Sequence, residues 1–105
     1  MRDAKLGVRR MDIAEWRKKI DAIDRELVRL LNERARYVAE IGKIKRDNSL
    51  PIQESSREQE VFQNALEANQ GPLENEALRR VFQQIVEEGK ALQRRLIEKR
   101  ETEKK

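Results

Sequence analysis

"DIAEWRKKIDAIDRELVRLLNERARYVAEIGKIKR", residues 12–46, decides the fold. Its apolar positions are Ile13, Trp16, Ile20, Ile23, Leu27, Leu30, Tyr37, Ile41 and Ile44. They fall three and four residues apart, the spacing of one buried face of a helix. At about 1.5 Å per residue the segment predicts a helix roughly 50 Å long. That is too long for a compact three-helix monomer. The helix must lie against something equally long, and a second copy of the chain is the simplest candidate.

The rest of the chain adds two helices. "DNSLPIQE" (47–54) breaks the first, because Pro51 lacks an amide donor and disfavours helix at Leu50. "SSREQEVFQNALEAN" (55–69) then reads as a short helix with Val61, Phe62, Ala65 and Leu66 on its apolar face. Ser55 with Glu58, or Ser56 with Gln59, has the pattern of a capping box at its start. "QGP" (70–72) ends it, glycine serving as the C-terminal cap. A third helix is expected from Asn75 to about Lys99, with Leu78, Val81, Phe82, Ile85, Leu92 and Leu96 as its stripe. Nothing alternates as a strand would. The expected class is all-α, with helices long, short and long. Residues 11–99 form the single domain, and 1–10 and 100–105 are expected to be disordered charged tails.

Composition narrows the chemistry. Of 105 residues, 42% are charged and 37% hydrophobic, a mix typical of long helices. There is no cysteine, which excludes disulfides, thiolate nucleophiles and cysteine-ligated zinc. There is no histidine either, which removes the commonest base near neutral pH and the commonest metal ligand. No metal or cofactor is expected. The apolar runs are too short to span a membrane, and "MRDAKLGVRR" (1–10) has no apolar signal region, so a cytoplasmic protein is expected. The net charge of +4 comes from 24 bases interspersed with 20 acids, and much of the excess lies in the two ends. That pattern does not point to nucleic acid.

Two cations interrupt the long seam. Arg34 lies seven residues after Leu27 and seven before Ile41, with Leu30, Leu31, Tyr37 and Val38 three and four away. Lys45 has Ile41, Gly42, Asn48 and Ser49 at those offsets. By contrast Arg36 has Glu33 and Glu40 in reach, and Lys43 has Glu40, as ordinary surface pairs do. Eleven helical steps return to within about 20° of the start, so Arg34 and Lys45 share a face roughly 16 Å apart along the axis. One reading lets each lay its stem on the core and its head in water. The other gives them a counter-charge, from an acid on another helix or from an anionic ligand. Gly89 and Gln93 interrupt the third helix similarly. A mid-helix glycine costs about 1 kcal/mol against alanine and suggests a close approach there, by a helix or a ligand. Glu54, Arg57 and Glu58 stand at the start of the second helix, where unpaired amides favour an anion.

A set of Arg, Lys, Gln and Glu is poorly suited to covalent catalysis, since Ser49, Ser55 and Ser56 have no histidine to activate them. It is well suited to holding a compact polyanion and stabilising charge that shifts during a reaction. A unimolecular rearrangement, accelerated by orientation and electrostatics, fits that set.

The sequence resembles the all-helical class of chorismate mutases, which convert chorismate to prephenate. "WRKKIDAIDRELVRLLNERARYVAEIGKIKR" (16–46), "PIQESSREQEV" (51–61) and "RRVFQQIVEEGKALQ" (79–93) carry the resemblance, which covers about Met11 to Ile97. It implies an intertwined dimer with two equivalent sites. In it Arg17 reaches across from the partner chain, and Arg34 pairs with a substrate carboxylate. Lys45 serves a carboxylate and the ether oxygen, and Gln93 meets the same oxygen. Arg57 supports the anion cluster and Glu58 takes the substrate hydroxyl. Glu54 falls where the family often has Asp, and Gly89 where it often has a serine or another small residue. Geometry agrees on one point, because Arg17 lies roughly 25 Å before Arg34 along a helix. If both serve one anion, Arg17 must come from an antiparallel second copy; otherwise it pairs with Asp21 on the surface. The resemblance also allows association with another enzyme of the shikimate pathway. The rival readings are an isochorismate-pyruvate lyase of the same fold, a non-catalytic helical interaction module, and a basic nucleic-acid binder.

Overall fold

The computed structural model describes residues 10–104, with the backbone alone at 100, 101, 103 and 104. The expected N-terminal tail therefore lies, but for Arg10, outside the described residues. The described residues form three helices and no strand: α1 (Ile13–Asp47), α2 (Ser55–Ala68) and α3 (Asn75–Lys104). The class is all-α and the order is long, short, long, as the periodicity indicates.

The ends of the helices differ from the sequence reading in instructive ways. A reciprocal cap does form, but at the start of α1. The Glu15 amide donates to Asp12 Oδ1 at 2.9 Å, and the Asp12 amide donates to Glu15 Oε1 at 3.2 Å. At α2 the expected box at Ser55/Glu58 or Ser56/Gln59 is not made. Glu54 is the N-cap residue and makes no side-chain cap bond. Its carboxylate is turned instead to Lys45 Nζ, 2.9 Å away.

α1 ends in a tight reversal. The Leu50 amide donates to Lys45 O at 2.8 Å and the Ser49 amide to Arg46 O at 3.4 Å. This is the paired pattern of a Schellman motif, with Ser49 in the left-handed position at φ 54. The chain then doubles back along the last turn of α1, which is what places residues 52 and 54 beside Lys45.

The α2–α3 turn also departs from expectation. Asn69, in extended conformation, is the C-cap of α2, and Gly71 stands two residues further on at φ 74. Asn69 braces the turn: its Nδ2 donates to Leu73 O and Asn75 Oδ1, and its Oδ1 accepts from the Gly71 amide. Nothing lies within 4 Å of a Cβ built on Gly71, so the backbone conformation and not space calls for glycine. α3 runs five residues past the expected end near Lys99. No glycine or proline follows Gln93 to stop it, and Thr102 Oγ1 donates back to Glu98 O at 3.0 Å.

The chain divides into two compact units between Arg34 and Ala35, within α1. From Ile13 on, the described part of the first unit is helix, and its seam is open. Trp16 is 54% exposed and Ile23 61%, and Ile13, Ile20, Leu27 and Leu30 are exposed as well. In the second unit α2 packs on α3, and among the described residues the buried apolar side chains are Phe62 and Val86. The Arg79 guanidinium lies 5.0 Å from the centre of the Phe62 ring. Gly42 of α1 admits α3: a Cβ there would stand 2.9 Å from Gln93 Cγ and 3.3 Å from Leu96 Cδ1. A close approach of helices is thus found at Gly42; Gly89 is half-buried in α3. The expected Lys43–Glu40 pair forms at 2.8 Å, whereas Glu33, expected to pair with Arg36, is held with Glu26 by Arg29.

Ser49 bears the steric cost of a left-handed L-residue, about 1–2 kcal/mol, against about 0.5–1 kcal/mol of extra chain entropy for glycine. Ser49→Gly is therefore expected to raise the unfolding free energy by about 0.5 kcal/mol, read as a higher urea midpoint at unchanged slope.

Candidate active site

In the second unit the structure gathers polar side chains around one turn of α1 and one turn of α3. Among the described residues Lys45 and Gln93 are the buried polar ones, 8% and 5% exposed. Neither snorkels to water. Lys45 Nζ donates to Ile52 O at 3.1 Å and pairs with Glu54 Oε1 at 2.9 Å. The counter-charge expected from another helix or a ligand thus comes from the N-cap of α2. The reversal after α1 is what carries it there. Gln93 Nε2 donates across to Val38 O at 3.0 Å, and its stem rests on Gly42, one turn before Lys45.

Each of these donors keeps something in reserve. An ammonium has three N–H groups and a primary amide two. After the bonds named, Lys45 retains one N–H, and Gln93 retains one N–H and its carbonyl oxygen. Both side chains are held by packing and by fixed acceptors, so the remaining donors have set directions.

The start of α2 supplies acids. Glu58 Oε2 lies 3.3 Å from Lys90 Nζ. Lys90 also pairs with Glu87 at 2.8 Å and donates to Gln53 Oε1 at 3.0 Å. Lys90 escaped the sequence reading because Glu87, three residues before it, makes it look like an ordinary surface pair. Only the fold shows that it also reaches Gln53 and Glu58. Arg57 is exposed and turned along its own helix to Glu60, 3.2 Å away. Gly89 precedes Lys90 on α3. Arg17 and Arg34 belong to the first unit, Arg17 exposed and Arg34 half-buried.

The acid–base balance follows these contacts. The Lys45 ammonium, by its hydrogen bond and then by its charge, holds the Glu54 carboxyl below its ordinary 4.5, with a smaller push from Arg57 against desolvation. The hydrogen bond that Lys90 donates to Glu87 raises its pKa above the ordinary 10.5 against desolvation, and Glu58 adds to the rise.

A sequence model of the family "Chorismate mutase type II" matches residues 16–94. The chain belongs to the chorismate mutase type II family. A chorismate mutase from Methanocaldococcus jannaschii is 29% identical over 94 residues, covering 89% of this chain and 95% of that protein. A bifunctional chorismate mutase/prephenate dehydratase from Aquifex aeolicus is 38% identical over 89 residues, covering 81% of this chain and 25% of that protein. The chain thus spans about a quarter of the bifunctional relatives it matches. Form II of the chorismate mutase from Thermus thermophilus superposes with a TM-score of 0.77 at 36% identity, over 79% of this chain and 94% of that one. Membership of the type II chorismate mutase family agrees with the all-helical architecture. Among the described residues no helix is long and apolar enough to cross a membrane.

Because its pKa is depressed, Glu54 stabilises the fold above its ordinary value of 4.5, and that contribution fades as pH falls through the lower folded value. The urea midpoint of the native chain is expected to exceed that of Glu54→Gln at neutral pH, with the gap closing in acid. Lys90 has the opposite sign: its contribution is present below 10.5 and fades as pH rises through the higher folded value.

Proposed function

We propose that this chain is a chorismate mutase. It rearranges chorismate to prephenate, the first step toward phenylalanine and tyrosine, as a cytoplasmic homodimer. The observation that carries the reading is the pair Lys45 and Gln93. Both are buried polar side chains set where apolar ones belong, and both are fixed by protein acceptors that leave an N–H over.

The reaction needs no proton transfer. The ether C–O bond breaks as a C–C bond forms between the enolpyruvyl carbon and the ring, and six electrons move in a cycle. Arg34 and Arg17 hold the two carboxylates, which favours the compact shape in which the ends can meet. Negative charge grows on the ether oxygen as its bond stretches. The remaining N–H groups of Lys45 and Gln93 are assigned to that oxygen, where they strengthen in the transition state. Glu58 accepts from the ring hydroxyl, Arg57 supports the anion, and Glu54 keeps Lys45 in place. Gly89 leaves room and offers no side-chain donor. A chain with neither histidine nor cysteine can therefore still be an enzyme.

The second copy follows from the open seam of α1. Each large apolar side chain buried is worth about 1.5–3 kcal/mol, and the first unit leaves Ile13, Trp16, Ile20, Ile23, Leu27 and Leu30 exposed. An antiparallel partner would cover them and bring its own Arg17 to the site. Association with a further enzyme of the pathway is part of the same reading. It draws on relatives whose names join the mutase to a prephenate dehydratase.

Optical loss of chorismate, with prephenate as product, tests the activity. Pyruvate released from isochorismate would point to the lyase, and no turnover of either would leave a helical interaction module, which the open seam also suits. Arg34→Ala and Lys45→Ala are each expected to lower kcat by roughly 10²–10³ while the fold persists, as circular dichroism would verify. Arg17→Ala co-refolded with an equal amount of Lys45→Ala is expected to recover about a quarter of the native activity, because half the dimers then carry one intact site of two. No recovery would place Arg17 in the same chain's site or outside it.

A further inference from the structure

Lys90 belongs to none of the roles assigned above, yet its side chain is only 12% exposed. Its three N–H groups meet three acceptors: Glu87 Oε2 at 2.8 Å, Gln53 Oε1 at 3.0 Å and Glu58 Oε2 at 3.3 Å. These acceptors come from α3 itself, from the segment before α2, and from the first turns of α2. An ammonium has no further donor to give, so Lys90 is fully engaged within its own chain.

The contacts are not equivalent. The Glu87 side chain is 55% exposed and three residues away on the same helix, the kind of surface pair that contributes little. Glu58 is 20% exposed and on another helix, where solvent screens the attraction less. Gln53 is next to Glu54, the residue that holds Lys45. Lys90 therefore ties together the segment and the helix start that carry both glutamates. It takes one oxygen of Glu58, Oε2, and leaves Oε1 with its lone pairs available to a hydroxyl.

We propose that Lys90 is a positioning residue, which fixes the Glu58 carboxylate so that its second oxygen faces the substrate hydroxyl. The inference rests on the reading of Glu58 given under Proposed function. Lys90 touches no reacting atom and acts through Glu58. Because the hydroxyl's own bonds are neither formed nor broken in the rearrangement, its contact with Glu58 is made in substrate and transition state alike, and the benefit falls on binding. It therefore appears in KM.

A double-mutant cycle on the full chain tests this, with Lys90→Met, Glu58→Gln and both together, and chorismate consumption as the readout. Lys90→Met alone is expected to lower kcat/KM about tenfold, mostly through KM, and less than about twofold in the Glu58→Gln background, since the two act as one unit. Lys90→Arg, which keeps the charge and the donors, is expected to restore most of the loss. If Lys90→Met does not fold, Lys90→Gln takes its place in the same cycle. Losses that simply add overturn the proposal. So does a lowered melting temperature with unchanged kcat/KM, which would make Lys90 a structural brace only. Activity in the native chain that Glu58→Gln leaves untouched also overturns it. A native chain that turns over no chorismate fails at the earlier step, the assigned activity, and removes this proposal with it.

Discussion

Lys45 is a cation taken almost out of water in the last turns of a helix, and much of the second unit is arranged around that fact. A buried charge persists only where nearby groups replace its hydration. The replacement comes from residues seven and nine further along the chain, the Ile52 carbonyl and the Glu54 carboxylate. For them to arrive, the chain must reverse at once, which the Schellman turn at Ser49 accomplishes. Glu54 is then committed to Lys45, so α2 starts without a side-chain cap of its own. Gln53, beside it, is drawn to Lys90, and Lys90 to Glu58. A burial requirement at one residue thus sets a turn, a helix start and the placement of two acids.

A second constraint acts at the level of the whole chain. Among the described residues two buried apolar side chains, Phe62 and Val86, are a meagre core for a domain of this size. Small domains are marginal because they bury too little surface. The apolar residues missing from the core lie exposed along α1. The same seam that makes α1 a helix leaves it incomplete as a folded unit, and this deficit supports the reading of a second copy.

Much of this architecture was legible because its signals are local. Periodicity at three and four residues marked α1 and α3, and Pro51 and Gly71–Pro72 marked the breaks between helices. Lys45 and Gln93 stood out as polar interruptions of apolar stripes, and both proved buried and bonded. What escaped the sequence depends on folding in space. Ser49 adopts a conformation usually given to glycine, and nothing in its neighbours announces this. Gly42 looks like any mid-helix glycine, and only the approach of Gln93 shows that close packing occurs there. The partner of Lys45 lies nine residues away, beyond helical offsets, and reaches it only through the turn. Lys90 was hidden by a plausible neighbour, Glu87. The capping serines were outcompeted because the residue at the cap had a stronger claim elsewhere.

The pairing of Lys45 with Glu54 has a consequence for how a dianion would be drawn in. Lys45 and Glu54 cancel, and Lys90 with Glu58 and Glu87 carries a net negative charge. Seen from a distance, this part of the molecule is not an electropositive funnel. The long-range pull that raises encounter rates and weakens with added salt is then assigned to the arginines. On the proposed reading the two kinds of cation divide the work by range. The arginines govern arrival, and the neutralised Lys45 acts only at contact, as a donor whose direction is already fixed.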